Sequence, residues 1–345
     1  MCHLHNALIL KILFNFIYRV MNITEMFNRQ LALKTATFIL LLSTTVLKSQ
    51  NSVKSIFSPF TYNSRDTLAL SSNEDKFDKR IFFGREWSAN LLFYPQFKFK
   101  NAVLNKMYKV QANINPTLHL NLWKGASLTS QFIIPVYNDF SDDESRVRPS
   151  FLTLSQRFLL PGDFRFLATA GNFNMQRAGV DLKAFKKVTS KLGIYGQVGL
   201  TGWSLAFLDN WYFSDLNKDN WRVGANYFIE SKNVILNFNV SKYLEDDIAA
   251  RAEIIRYFKN ASIGFYVQTL QYQDYSVNGG FFFTISLPPR NRGSRGGKRV
   301  SVSTSEHFSL EYVARPYEKR GVLYKTAPND NSSFNFFNRS LLHIY

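Results

Sequence analysis

The chain has 345 residues and a formal net charge of +17, and 46% of its residues are hydrophobic and 16% aromatic. Its one cysteine, Cys2, excludes an intramolecular disulfide framework and a thiolate metal cluster. After Gln50 no run of 18 or more apolar residues occurs, so we expect no helical membrane span in that part of the chain.

The beginning of the chain has the layout of a secretory signal peptide over residues 26–49. Two basic residues come first, an apolar core follows at 35–47, and a small-polar stretch ends near Ser49, where we expect cleavage. Residues 1–25 are interpreted as an upstream extension, because the methionine that opens the 26–49 segment restores a normal leader length. Residues 50–80 then form a polar amino-terminal extension.

The clearest strand signal is a strict period of two over residues 110–122. Every even-numbered residue there is apolar and every odd-numbered residue is polar, which predicts a strand with one apolar and one polar surface. The segment exceeds an ordinary globular strand and reaches the roughly 9–11 residues with which a tilted strand crosses a bilayer. Tyr108 and Trp123 close it, at the levels where the aromatic girdles of a membrane barrel lie.

The same alternation recurs between Phe82 and Leu287, where we count about twelve strands, with the strand expected at 176–188 the most weakly patterned. Further patterned segments are 89–99, 128–136, 152–160, 164–170, 192–200, 223–229, 234–240, 263–267 and 281–287. We therefore predict an all-β fold over residues 81–288: a transmembrane antiparallel β-barrel of the outer-membrane type, in a Gram-negative bacterium. A soluble secreted β-sandwich shows the same alternation and is the competing architecture.

Residues 289–345 form a basic tail. Its segment 290–299 carries five positive charges and no acid, and its glycines favour a flexible chain. Behind a secretory leader, nucleic acid is not the expected partner of such a segment. An anionic saccharide or a lipid phosphate fits better, and a solvated loop without a partner is the alternative. Alternation at 307–312 predicts that the tail either adds one extra strand or folds against the periplasmic rim of the barrel.

Four arginines fall on the polar phase of their predicted strands: Arg157, Arg165, Arg222 and Arg251. On the inner wall of a barrel they would present cationic groups to an anionic polymer. The alternative is that they pair internally with carboxylates such as Glu253, and the sequence leaves both open.

No catalytic or metal-binding constellation is recognised in the sequence. His119 lies on the polar phase of its strand, but the sequence places no serine beside it. The acidic clusters at 142–144 and 245–247 lack the spacing of a calcium-binding EF-hand loop. We therefore predict a protein that is not an enzyme and that uses neither a metal nor another cofactor.

A short motif lies in residues 240–288. It consists of Tyr243-Leu244, Asp247, Arg256 with Phe258, Asn260, Gly264 and the run Ile285-Ser286-Leu287-Pro288. This pattern resembles the carboxyl-terminal barrel of the YjbH-type outer-membrane proteins of exopolysaccharide and capsule production. The resemblance implies that the functional residues of the hairpin are Tyr243, Leu244, Asp247, Arg256 and Phe258.

The resemblance also implies a function: a non-enzymatic outer-membrane barrel that takes part in secretion or assembly of an exopolysaccharide or capsule. Its partners would be outer-membrane lipid, an anionic polysaccharide and other exopolysaccharide-export proteins. The alternative is a structural or general diffusion barrel, similar to a porin, with no polysaccharide role.

Overall fold

The computed structural model of the protein describes residue 83 and residues 86–101, 108–139, 145–206, 211–258, 261–271, 275–287, 300–305, 307–313 and 321–328. The predicted signal peptide, the polar extension over 50–80, the acidic cluster at 142–144 and the basic segment at 290–299 lie outside these residues. None of the helical turns in the described residues has the length or hydropathy that a membrane-crossing helix needs.

The described residues form fifteen strands, which we number in chain order. The first seven are β1 (Ser88–Asn101), β2 (Tyr108–Asn121), β3 (Ala126–Asn138), β4 (Arg148–Leu160), β5 (Phe164–Phe173), β6 (Arg177–Lys187) and β7 (Leu192–Ala206). The others are β8 (Trp211–Phe213), β9 (Lys218–Ile229), β10 (Val234–Lys242), β11 (Ile248–Tyr257), β12 (Ala261–Gln271), β13 (Tyr275–Ser286), β14 (Val300–Thr304) and β15 (His307–Val313). A short 3-10 turn, Glu230–Lys232, links β9 to β10.

Strands β1 to β7 and β9 to β13 form an up-and-down meander in which each strand pairs antiparallel with the next. Within the described residues these are twelve long strands, from 9 residues in β10 to 15 in β7. They confirm the predicted all-β antiparallel fold with about twelve strands. Three short strands add to them, since β8 pairs with β7 and the tail supplies β14 and β15.

The meander has two ends. We call the end at which β1 begins the lower end, and the opposite one the upper end. Strands β2, β4, β6, β9, β11 and β13 finish at the lower end, and strands β1, β3, β5, β7, β10 and β12 finish at the upper end.

Both edges of the meander meet the segment 300–313. Strand β14 pairs parallel with the lower part of β1, and β15 pairs antiparallel with the lower part of β13. The Ser305 amide donates to the Phe93 carbonyl at 2.9 Å, and the rings of Phe97 and Phe308 lie 5.5 Å apart. The sheet is therefore curled until its two edges come together. Among the described residues no pairing joins β14 to β15, so the hydrogen-bond ladder is not continuous around it.

The sheet buries its polar side chains and exposes its apolar ones. On β2, Asn113, Asn115 and Thr117 are 1–4% exposed, whereas Ile114 and Leu118 are 46% and 40% exposed. Other strands repeat this, with buried Gln131, Thr153, Thr169, Asp181, Gln197, Asn237 and Gln268, and exposed Leu154, Val180, Val198, Val223 and Phe265. A soluble β-sandwich buries its apolar face instead. We call the polar surface the inner face and the apolar surface the outer face.

Candidate functional site

The segment 321–328 occupies part of the inner face. It follows β15 in the chain and contacts β4, β5, β6, β9 and the β10–β11 turn. Two of its side chains, Tyr324 and Thr326, are only 3% and 2% exposed. The segment is therefore packed inside the curled sheet, toward the upper end.

Tyr324 is the centre of these contacts. Its ring stacks on Phe173 with centroids 4.8 Å apart and planes 7° apart. Its hydroxyl donates to the Asp181 carboxylate at 2.9 Å and accepts from the Asn220 amide at 3.2 Å. Gln197 donates to the same Asp181 oxygen at 2.7 Å. Stacking and hydrogen bonds to a buried carboxylate together fix this tyrosine on the inner face.

Gly199 provides the space for the Tyr324 hydroxyl. A Cβ atom at this position would overlap that hydroxyl and would lie 2.9 Å from the Asn220 side chain. Gly196, on the same strand, faces open space, since its nearest neighbour is the Arg222 carbonyl at 3.8 Å. Of these two positions, only position 199 requires glycine for the Tyr324 side chain to fit.

A buried charge pair contacts the same segment. The Lys183 ammonium lies 3.8 Å from Asp181 and donates to the Thr326 hydroxyl at 2.7 Å, and Lys183 is 1% exposed. The Thr153 hydroxyl donates to the Thr326 carbonyl at 3.3 Å. Buried charges are costly unless hydrogen bonds satisfy them, so the segment supplies partners that Lys183 and Asp181 need.

Three residues of the family-like hairpin lie in the upper β10–β11 turn and hold the segment. Tyr243 and Leu244 are 1% and 4% exposed and pack with Leu323 in two apolar clusters. Asp247 is fully buried and accepts from the Gly321 amide at 2.6 Å. The Asp247 carbonyl also accepts from the Tyr243 amide at 2.8 Å within the turn, whereas the bond to Gly321 reaches 74 residues further along the chain.

The other two hairpin residues lie at the lower end of the sheet, where β11 ends. Arg256 and Phe258 are exposed, and the guanidinium lies 5.3 Å from the ring centroid. The five matched residues therefore form two separate groups, one on the inner face at the upper end and one on the outer face at the lower end.

Of the four arginines predicted to line the inner face, Arg157, Arg165 and Arg222 lie on the inner phase of their strands and differ in burial and contacts. Arg165 is 5% exposed and pairs with Asp163 at 2.8 Å. Arg222 donates to the Ser241 hydroxyl at 3.2 Å, and Arg157 is half-buried on β4.

Arg251 is fully engaged inside the sheet. Its guanidinium pairs with Glu253 at 2.6 Å, approaches Glu311 at 3.9 Å and donates to Gln268 at 3.4 Å. It also lies 3.6 Å above the Tyr266 ring. For this arginine the structure has the internal pairing that the sequence left as one of two alternatives.

The upper end carries a network of ion pairs. Lys218 pairs with Asp246 at 2.5 Å, and Lys242 pairs with Asp219 at 2.7 Å and with Asp246 at 3.3 Å. The hydrogen bond from Lys218 holds the pKa of Asp246 below its usual value, although burial opposes this shift. These lysines therefore have their charge balanced within the protein.

The structure gives no sign of a metal centre in the part of the chain that it describes. No group of three or more histidine, cysteine or acidic side chains there could hold a metal ion. His119 lies 3.0 Å from the Thr129 hydroxyl.

The contacts of Tyr324 were not anticipated from the sequence. The signal that could have indicated them is the pair Asp181 and Lys183, two opposite charges on the polar phase of one strand.

Comparisons with known proteins identify no family for the chain. No family model and no curated protein matches it. Among solved structures, a loop L8 deletion mutant of OmpT, an outer membrane protein of Vibrio cholerae, is similar with a TM-score of 0.31 and 8% sequence identity. That likeness covers 57% of this chain and 87% of the other, and it is too low to bear on function.

Proposed function

We propose that the protein is an integral β-barrel of the outer membrane whose outer face contacts lipid. The observation that carries this proposal is the inverted polarity of the sheet, with Asn115 4% exposed and its neighbours Ile114 and Leu118 at least 40% exposed. Full burial of such a side chain contributes about 1.5–3 kcal/mol, and an apolar solvent around the sheet would restore the part of this energy that the exposed fraction forgoes in water. Strands of 9 to 15 residues also match the length that a bilayer requires.

We further propose that the barrel is a non-enzymatic component of exopolysaccharide or capsule secretion. The support for this finer role is the resemblance of residues 240–288 to the YjbH-type proteins. The matched residues Tyr243, Leu244 and Asp247 belong to the contacts that hold the segment 321–328. We therefore assign these three residues a role in controlling the position of the segment 321–328.

In this proposal the segment 321–328 blocks the interior of the barrel, and displacement of the segment unblocks it. Tyr324 and Thr326 fill space between strands β4, β6 and β9 that an open diffusion channel would leave to water. The porin-like alternative requires an unobstructed inner face, so the contacts of this segment weigh against it.

The membrane proposal is tested by cell fractionation. The protein is expected in the outer-membrane fraction with heat-modifiable migration on gels. Recovery as a soluble periplasmic protein would refute it.

The polysaccharide role is tested separately with a deletion strain. The strain is expected to lose surface or secreted polysaccharide, and wild-type protein should restore it. Normal polysaccharide together with altered uptake of small solutes would favour the diffusion-barrel alternative.

A further inference from the structure

Several cations lie at the lower end of the sheet. Among the described residues no carboxylate pairs with any of six of them: Lys124, Lys186, Lys187, Lys191, Lys232 and Arg256. The acidic side chains described at this end are Glu86, Glu230 and Asp163, and Asp163 pairs with Arg165. At the upper end, Lys218 and Lys242 pair with aspartates, whereas Lys109 and Arg146 have no carboxylate partner among the described residues. In the described part of the chain, the lower end therefore carries a local excess of positive charge.

Two of the lower cations lie at the border of the apolar outer face. The Lys186 ammonium is 4.1 Å from the centroid of the Phe164 ring, and Arg256 is 5.3 Å from that of Phe258. Both rings are on the outer face and are 37% and 47% exposed. In a membrane, the exposed ring of such a pair would lie at the depth of the acyl chains, and the cation beside it would lie at the depth of the lipid phosphates.

The six cations are also spread around the sheet. Lys124 belongs to the connection after β2, Lys186, Lys187 and Lys191 to the hairpin of β6 and β7, Lys232 to the turn after β9, and Arg256 to the end of β11. A folded acidic partner would cover one part of this rim. A ring of lipid headgroups would meet all of it at once.

We propose that the lower rim, defined by these six cations, binds the phosphates of anionic phospholipids in the leaflet that surrounds it. This inference rests on the proposed membrane location. Each lysine or arginine near an anionic membrane surface strengthens the attraction about fivefold at low ionic strength. Screening by salt reduces this gain, because the cations are exposed.

The β6–β7 hairpin allows a local test. The variant Leu160→Cys, in a Cys2→Ser background, would carry a fluorophore on the outer face. The fluorophore would lie beside Phe164 and Lys186, because Leu160 pairs with Phe164 and Phe164 pairs with Lys186. Quenching by brominated phosphatidylglycerol is compared with quenching by brominated phosphatidylcholine in reconstituted vesicles. We expect phosphatidylglycerol to be preferred about fivefold or more at low salt, and the preference to fall as salt is added.

Matched variants show whether the lysines cause the preference. Lys186→Gln, Lys187→Gln and Lys191→Gln together should reduce it to about one. The upper-end set Lys109→Gln, Lys218→Gln and Lys242→Gln removes the same charge and should leave it unchanged.

The outcomes separate this inference from the proposal on which it rests. If neither lipid quenches the fluorophore, the membrane proposal itself fails. If both lipids quench equally at Leu160, or if the lower triple variant keeps the preference, the protein is in the membrane but the lipid-phosphate rim is refuted. Loss of the preference in the upper set would refute it as well.

Discussion

Replacing Gly199 with alanine is expected to displace the segment 321–328 from the inner face. The added methyl group would overlap the Tyr324 hydroxyl, so the tyrosine has to leave its position. Two contacts are then lost: the hydrogen bond to the Asp181 carboxylate and the stack on Phe173. A hydrogen bond to a charged group contributes about 1.5–3 kcal/mol and an aromatic stack about 0.5–1.5 kcal/mol, so the loss is about 2–4.5 kcal/mol.

The assay is tryptic cleavage of the folded protein in detergent micelles, with the Lys325–Thr326 bond followed by mass spectrometry. Lys325 lies within the segment, and its amide donates to Asn174 at 2.5 Å, so cleavage there reports release of the segment. When opening is fast relative to cleavage, a loss of about 2–4.5 kcal/mol increases the cleavage rate about 30- to 2,000-fold. Gly196→Ala is the control, because it adds the same methyl group to open space.

A double substitution makes the argument stricter. In a Tyr324→Phe background the hydroxyl that the new methyl group meets is absent, so Gly199→Ala should increase cleavage much less than it does in the wild type. Equal cleavage of Gly199→Ala, Gly196→Ala and wild type would refute the reasoning. An undiminished effect of Gly199→Ala in the Tyr324→Phe background would also contradict it.

Three further predictions concern other residues. Leu118→Arg should lower the free energy of unfolding in vesicles by about 2–4 kcal/mol if the site is near the bilayer midplane, while Asn115→Arg should cost less; equal losses would mean that both faces are buried in protein. Asp247→Ala removes the acceptor of the Gly321 amide and should destabilise the packing of the segment 321–328 by about 1–3 kcal/mol. The expected result is faster cleavage after Lys325, and unchanged cleavage would contradict this prediction. Because the pKa of Asp246 is lowered by Lys218, its stabilising contribution should be present above its usual value of 3.8 and be lost as pH falls below it. In pH-dependent unfolding, Asp246→Asn should therefore differ from wild type at neutral pH and converge with it in acid; a constant difference would argue against the ion pair.

The strands could be predicted because alternation is a local property. A strand with a polar inner face and an apolar outer face has polar and apolar residues in alternation, and this alternation is visible at residues 110–122. The structure has β2 at Tyr108–Asn121. The expected strand at 176–188 was weakly patterned for a physical reason. In β6 (Arg177–Lys187) the inner residue Phe185 is apolar and packs with Leu167 and Tyr195, which breaks the rule that inner residues are polar.

Other features could not be predicted because they depend on contacts between distant parts of the chain. Tyr324 meets partners 143 and 104 residues away, and nothing in its local sequence specifies them. The parallel pairing of β14 with β1 joins the tail to the first strand of the meander, and the local sequence of β14 does not specify this partner. The hairpin motif did identify Tyr243, Leu244 and Asp247, but only the three-dimensional arrangement shows that they face a segment of the tail.

The central claim is that the sheet faces lipid with its apolar side. Nitroxide labels placed one at a time at residues 111–120, in vesicles containing the reconstituted protein, test it most directly through their accessibility to oxygen, which concentrates in the hydrocarbon region. We predict an oscillation with a period of two residues, with maxima at even positions such as Ile114 and Leu118 and minima at Asn113, Asn115 and Thr117. Low oxygen accessibility at Ile114 and Leu118, or no oscillation along the strand, would contradict the claim.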